Sequence, residues 1–285
     1  MGGTGISRFA FDNLLYQKAL ETGMKFCLDT VVDIEFSKEM FEVSTEKGEK
    51  LNAHLVIGAY GKRSSLDKNL KRTFIQKKSS WLAVKAHYQY DEFPDNLVAL
   101  HNFNGGSGGW SKTETGAVNF CYLASYKSFQ KEKGIEHFNS NVIAGNPFLK
   151  EFLQNANPLF DKPLTIAQIS FHPKTAVENH VLMCGDTAGL IHPLCGNGMA
   201  MAIHSAKIAS QLICDYFESK ERNRMHLERT YAQLWSKAFN KRLRTGRQLQ
   251  SILLNKTMSN LAINLAIQAP TFLNRLIKKT HGKTL

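Results

Sequence analysis

No stretch of this 285-residue chain is long and apolar enough to span a bilayer, which takes about 20 apolar residues in a helix. The greasiest segments, residues 181–183 and 261–267, are too short or too interrupted. No basic start followed by an apolar run marks a secretory leader. Five cysteines (Cys27, Cys121, Cys184, Cys195 and Cys214) are scattered without a CxxC pair, which speaks against a zinc site. An odd count without a leader points to reduced, mostly buried thiols and a cytoplasmic protein. No nucleophilic triad, metal cluster, P-loop, internal repeat or low-complexity tract is present. The ten histidines are dispersed and most read as structural.

Acidic residues nearly vanish toward the C terminus. From Lys220 onward there are 14 Lys/Arg against 2 Asp/Glu, leaving 22 of each sign in the rest of the chain. The formal charge of +12 therefore belongs to the last quarter. Such a surface suits nucleic acid, an anionic membrane or an acidic partner, and equally a plain solvated helix face. No module interleaving aromatic and basic residues is present, so nucleic acid is not expected. Residues 249–277 are amphipathic with Lys/Arg at their flanks, as in helices lying on anionic membranes. A helix packed on the body with a polar outer face fits the same pattern.

What is there is ordinary globular material, 43% hydrophobic and 21% charged. Apolar spacing predicts a helix over residues 9–22 closed by Gly23, then a short strand over 24–27. Strands follow over 30–36 and 40–45, and the HLVIGA run at 54–59 reads as a buried parallel strand. Alternation predicts strands over 81–90, 96–103, 116–125 and 164–170, with residues 105–109 as a flexible glycine loop. Residues 128–155 read as broken helix, 180–185 as a buried strand and 199–217 as a long apolar helix. Beyond Glu218 the chain is helical and basic. Asn260, Asn264 and Gln268 form a polar stripe that Pro270 interrupts.

The strongest chemical signal is VLMCGDTAG followed by HPLCGNGMA. A strand delivers Asp186 at its carboxyl end, and a glycine-rich turn enters a helix start. A carboxylate there binds sugar or ribityl hydroxyls. A helix N-terminus fronted by glycines offers free N–H groups to an anion. Gly196 and Gly198 have no side chain to hold off a flat ring or a phosphate.

The run GDTAGLIHPLCGNGMAMAIHSA resembles the second FAD-binding motif of the para-hydroxybenzoate-hydroxylase and geranylgeranyl-reductase type of flavoproteins. The resemblance implies a ribityl role for Asp186, beside Gly185. It implies ring-edge and phosphate roles for Pro193, Gly196, Gly198 and Met199. LVIGAYGKRS resembles the family's middle motif and contributes Gly58 and Gly61. Tyr60 stands where the family usually has Asp, which weakens the case for nicotinamide binding there. GISRFAFDNLL resembles the family's R-x-x-F-D-x-x-L helix, whose Arg, here Arg8, approaches the flavin phosphates.

The resemblance runs from Gly5 to Phe217 and implies FAD, with NAD(P)H as electron donor. The family's GxGxxG unit is not seen, so the chain is expected to start inside the fold and to hold FAD weakly or not at all. The expected class is α/β, α+β overall: a Rossmann-like three-layer body without its first βαβ unit, carrying an inserted antiparallel sheet. The expected segments are 1–75 and 173–218 for FAD, 76–172 for substrate and 219–285 as a basic helical tail. His101, Trp110, Asn119 and Tyr122 are the candidates to line a cavity for a hydrophobic small molecule, with ordinary strand packing as the plainer role. No metal is expected.

The implied activity is a monooxygenase. A flavin-dependent double-bond reductase and a non-catalytic interaction protein are the alternatives. A tryptophan-x-tryptophan motif, the mark of flavin halogenases, is absent. The expected location is cytoplasmic, with peripheral contact to the inner membrane surface through the basic tail.

Overall fold

The structure, a computed structural model, describes residues 6–77, 79–269 and 271. The chain divides into two compact units, Met1–Leu28 with Ser80–Ile169, and Asp29–Ser79 with Ser170–Leu285.

The first unit is built on a six-stranded antiparallel sheet. Its strands run Leu164–Ala167, Trp81–Gln89, Val118–Ser125, Gly106–Lys112, Val98–Phe103 across the sheet, with Asn157–Pro158 also paired to Trp81–Gln89. The register sets Val84 opposite Tyr122, Ala86 opposite Phe120 and Phe120 opposite Trp110, so these residues share a face. Phe138 of helix Ile135–Asn141 and Leu149 and Phe152 of helix Pro147–Asn155 bury against that face. Asn146 caps the second helix through the Phe148 and Leu149 N–H groups, and Pro147 sits at its first turn. Phe152 is wholly buried, and burying such a ring contributes about 1.5–3 kcal/mol.

The glycines at 105–109, expected as a loop, belong mostly to the Gly106–Lys112 strand. A Cβ on Gly106 would sit 2.3 Å from the Leu123 carbonyl oxygen, so the glycine lets the strand pass close to its neighbour. Only Gly105, at φ +83°, makes the turn.

Residues 24–27 form no strand, because no described strand pairs with them; Met24 and Phe26 are exposed. The helix Arg8–Glu21 groups with the sheet unit and not with the second unit.

The second unit holds a three-stranded antiparallel sheet, Val31–Ser37, Met40–Thr45 and Lys50–Ala53. It also holds the parallel pair Ile57–Gly58 and Val181–Met183, with Val177–Glu178 antiparallel on the far side. Among the described residues, the parallel layer of the expected Rossmann-like body is this one pair. Helices Gly198–Glu218, Arg224–Leu254 and Lys256–Gln268 complete the unit.

The basic C-terminal part is not a separate module. Helix Arg224–Leu254 buries Leu227, Tyr231, Trp235, Phe239, Leu243 and Gly246, a stripe repeating every three or four residues, in the same core as the parallel strands. Its charge lies on the outer side, where Lys237, Lys241 and Arg244 are exposed.

Cys184 and Cys195 are buried, but Cys27 and Cys214 are exposed, so the thiols are less uniformly buried than expected. No helix among the described residues is long and apolar enough to cross a membrane.

Candidate functional site

Two loops leave the carboxyl ends of the parallel pair, and they carry the sequence motifs. Gly58 ends the first strand; its carbonyl accepts from the Cys184 N–H at 3.0 Å. A Cβ there would lie 2.6 Å from the Met183 sulfur and would push that side chain aside. Thr187 then ties the loops together. Its hydroxyl accepts from the Gly61 N–H at 2.8 Å and lies 3.2 Å from the Gly61 carbonyl, to which it donates.

Gly185 sits at φ +58°, and its absent side chain admits helix Gly198–Glu218. A Cβ would be 3.1 Å from Ala202 Cβ. The Gly185 N–H donates to Ser205 Oγ at 2.9 Å, which fixes the turn against the helix. Asp186 follows, half-buried at the strand end.

The helix itself begins without a side-chain cap from Asn197, so its first N–H groups retain the anion-binding character of a helix start. Gly196, at φ +58°, and Gly198 have no atom within 4 Å of where a Cβ would stand. Pro193, Gly196 and Met199 are exposed on this side. Glycines facing open space, a carboxylate and an uncapped helix start fit a ribityl diphosphate with a flat ring.

The back wall of the loop is helix Arg224–Leu254. A Cβ on Gly189 would press 2.8 Å into Trp235 and 2.9 Å into Leu243, and one on Gly246 would lie 3.3 Å from Cys195 Sγ. His192 is buried and packs on Phe171 at 5.0 Å between ring centroids. Burial holds its imidazole at about 4, far below the usual range, so it is neutral at pH 7.

Beneath both loops lies a buried polar cluster that the sequence reading missed. Arg72 and Asp67 form a wholly buried ion pair at 3.1 Å. Arg72 Nη1 also donates to the Thr187 carbonyl at 2.9 Å, and Nη2 to the Thr175 carbonyl at 3.1 Å. The Tyr60 hydroxyl donates to Asp67 at 2.9 Å and lies 3.3 Å from Arg72 Nη1. Burial, only partly offset by Arg72, pushes that hydroxyl up to about 12. Tyr60, the departure from the family pattern, therefore anchors its loop from below. Lys174 Nζ donates to the carbonyls of Lys62 at 2.8 Å and Asp186 at 2.9 Å. Sequence offers no signal for Arg72 or Lys174, since both stand in polar stretches that read as surface.

The remaining candidates lie in the first unit. Arg8 is exposed and pairs with Asp12 one turn on, at 2.7 Å. Trp110 and Tyr122 are buried. Trp110 stands 4.3 Å from Phe152 and Tyr122 5.9 Å from Phe138, on the helix-covered face. His101 shares that face, 5.0 Å from Trp110. Asn119 lies on the opposite face, so the four do not form one lining. Among the described residues, no group of three or more His, Cys, Asp or Glu is placed to hold a metal.

No family model matches the chain. An uncharacterized protein of Methanocaldococcus jannaschii is 25% identical over 272 residues, covering 89% of this chain and 65% of its own length. Among solved structures, the flavin-dependent halogenase CmlS superposes with a TM-score of 0.70 at 19% identity, over 84% of this chain and 45% of that one. HpxO of Klebsiella pneumoniae, solved with FAD and uric acid, gives 0.68 at 14% identity over 93% and 70%. A salicylate hydroxylase substrate complex gives 0.66 at 17% identity over 98% and 76%. The chain thus spans slightly less than two thirds of the Methanocaldococcus jannaschii protein and slightly less than half of CmlS. At these identities the likeness establishes the architecture: the chain has the fold shared by flavin-dependent halogenases and hydroxylases.

Proposed function

We propose that the protein is a FAD-dependent oxidoreductase, and within that class a monooxygenase acting on a hydrophobic or aromatic small molecule, with NAD(P)H as electron donor. One observation carries this reading: two parallel strands deliver Gly61 and Asp186 side by side, and the second loop runs into an uncapped 21-residue helix. Asp186 would hold the ribityl hydroxyls, and the N–H groups at Gly198 and Met199 would face the diphosphate or the ring edge. When bound, FAD supplies the redox chemistry, and the chain supplies position, charge and exclusion of water.

The test is a flavin titration of the longest chain the gene encodes, followed by visible absorption. Asp186→Ala is expected to weaken FAD by about 10- to 100-fold, the range for a hydrogen bond to a charged group. A wild-type chain that takes up no FAD, or an Asp186→Ala variant that binds as well, would sink the reading.

Contact with an anionic membrane belongs to the same proposal. Helix Lys256–Gln268 exposes Met258, Leu261, Ile263, Leu265 and Ile267, and no carboxylate occurs from Arg229 to the end. The protein is expected to sediment with phosphatidylserine vesicles at low salt and to leave them at high salt. Equal behaviour with neutral vesicles would remove the electrostatic part, and no sedimentation would remove the contact.

A further inference from the structure

Lys174 is a lysine built into the second unit with all its surroundings specified. Two of its donors are on the carbonyls of Lys62 and Asp186, one from each motif loop. Its ammonium also stands 4.3 Å from the centroid of the Phe74 ring, a cation–π contact. The charged groups around it are Arg72, Asp67 and Asp186. Burial, and after it Arg72, pulls the ammonium down to about 8, against the two carboxylates.

A trans peptide plane carries its N–H opposite its C=O. With the Lys62 and Asp186 carbonyls drawn onto Nζ, the N–H groups of Arg63 and Thr187 face away from the ammonium. Arg72 also draws the Thr187 carbonyl inward, and the amide that follows, Ala188, donates to the Gly185 carbonyl. Half-buried Lys174 thus holds one carbonyl of each loop, and the Arg63 and Thr187 amides face the other way. Amides turned away from a cation suit an anion.

We propose that Lys174 is a positioning residue, turning the Lys62–Arg63 and Asp186–Thr187 peptide planes so that their N–H groups serve the diphosphate of the flavin dinucleotide. The inference rests on the FAD reading above and adds a residue and a ligand moiety to it. It separates from a general structural role because riboflavin has the ring and ribityl chain of FAD but no phosphate.

The experiment is a fluorescence titration of the longest encoded chain with FAD and with riboflavin, for wild type, Lys174→Met and Lys174→Arg. Lys174→Met is expected to weaken FAD by roughly tenfold and riboflavin by less than about twofold. Lys174→Arg, still charged and able to reach two carbonyls, should recover most of the loss. In the wild type, FAD affinity should fall as pH rises through about 8, where the ammonium loses its proton, and Lys174→Met should lack that step.

Unchanged FAD binding by Lys174→Met overturns the inference alone. So does an equal loss of both flavins, which would assign the lysine to the fold. Should Lys174→Met not fold, the wild-type pH profile decides, and a flat profile across pH 8 overturns the inference. A wild-type chain that binds neither flavin sinks the FAD reading and this inference with it.

Discussion

Arg72→Met lowers stability to unfolding by about 3–5 kcal/mol, the expected cost of stripping one partner from a buried ion pair. The pair is wholly out of water, so Asp67 would be left as an uncompensated carboxylate. The Thr187 and Thr175 carbonyls would lose their donor in the same step. Asp67 keeps only the Ser64 N–H at 2.8 Å and the Tyr60 hydroxyl.

The companion variant makes the argument sharp. Combining Arg72→Met with Asp67→Leu removes both charges, and apolar replacement of a buried pair is often close to neutral. The double variant should therefore regain part of the loss, the remainder being the unpaired carbonyls and hydroxyl. Urea unfolding of the three chains measures this. A single variant costing under about 1 kcal/mol, or a double variant worse than the single, would show that the pair is not buried as described.

Acid should weaken the protein through His192, and the size is also large. Its folded imidazole is held at about 4 by burial, against the ordinary 6.5. The unfolded chain therefore takes up the proton first. Stability from this residue is fully present above about pH 6.5 and is lost as pH falls through that value toward 4, by about 3 kcal/mol in all. His192→Leu, which has no proton to gain, should flatten this part of the profile. Unfolding midpoints at pH 7 and pH 4.5 test it, and equal slopes in the two chains would rule His192 out as the cause. Because His192 stands between Asp186 and Gly196, flavin retention should fall over the same pH range.

The parts of the site that sequence reveals are those written within one short segment. Gly185, Asp186, Gly196 and Gly198 fall in a run where strand, turn and helix start follow directly, so local rules suffice. Gly58 and Gly61 were legible for the same reason. Arg72 was not, because its partners include Thr187, 115 residues away, and nothing near Lys71-Arg72-Thr73 marks the arginine as buried. Lys174 joins carbonyls at positions 62 and 186, and backbone oxygens leave no trace in composition.

The sheet shows a different limit. Alternation located its strands well, yet it does not say which face a helix will cover. Trp110 and Tyr122 lie on the face that Phe138 and Phe152 close, and alternation alone does not reveal this. The glycines at 106 and 108 were misread because glycine signals both a turn and a close approach, and here the Leu123 carbonyl and the Phe120 ring decide for approach.

Helix Arg224–Leu254 has 31 residues and so runs about 46 Å. At its first turn Arg224 grips the Glu39 carboxylate at 2.8 Å and the His54 carbonyl at 2.7 Å. About three and five turns later Trp235 and Leu243 support Gly189, and Gly246 lies under Cys195. One rigid rod therefore spans from a hairpin to the motif loop, as a keel joins two ribs. Amide hydrogens in the hairpin and in the loop would then exchange through a shared subglobal opening rather than separately. A ligand that stiffens the loop would slow exchange at the distant hairpin too, a long-range echo of occupancy carried by the most basic part of the molecule.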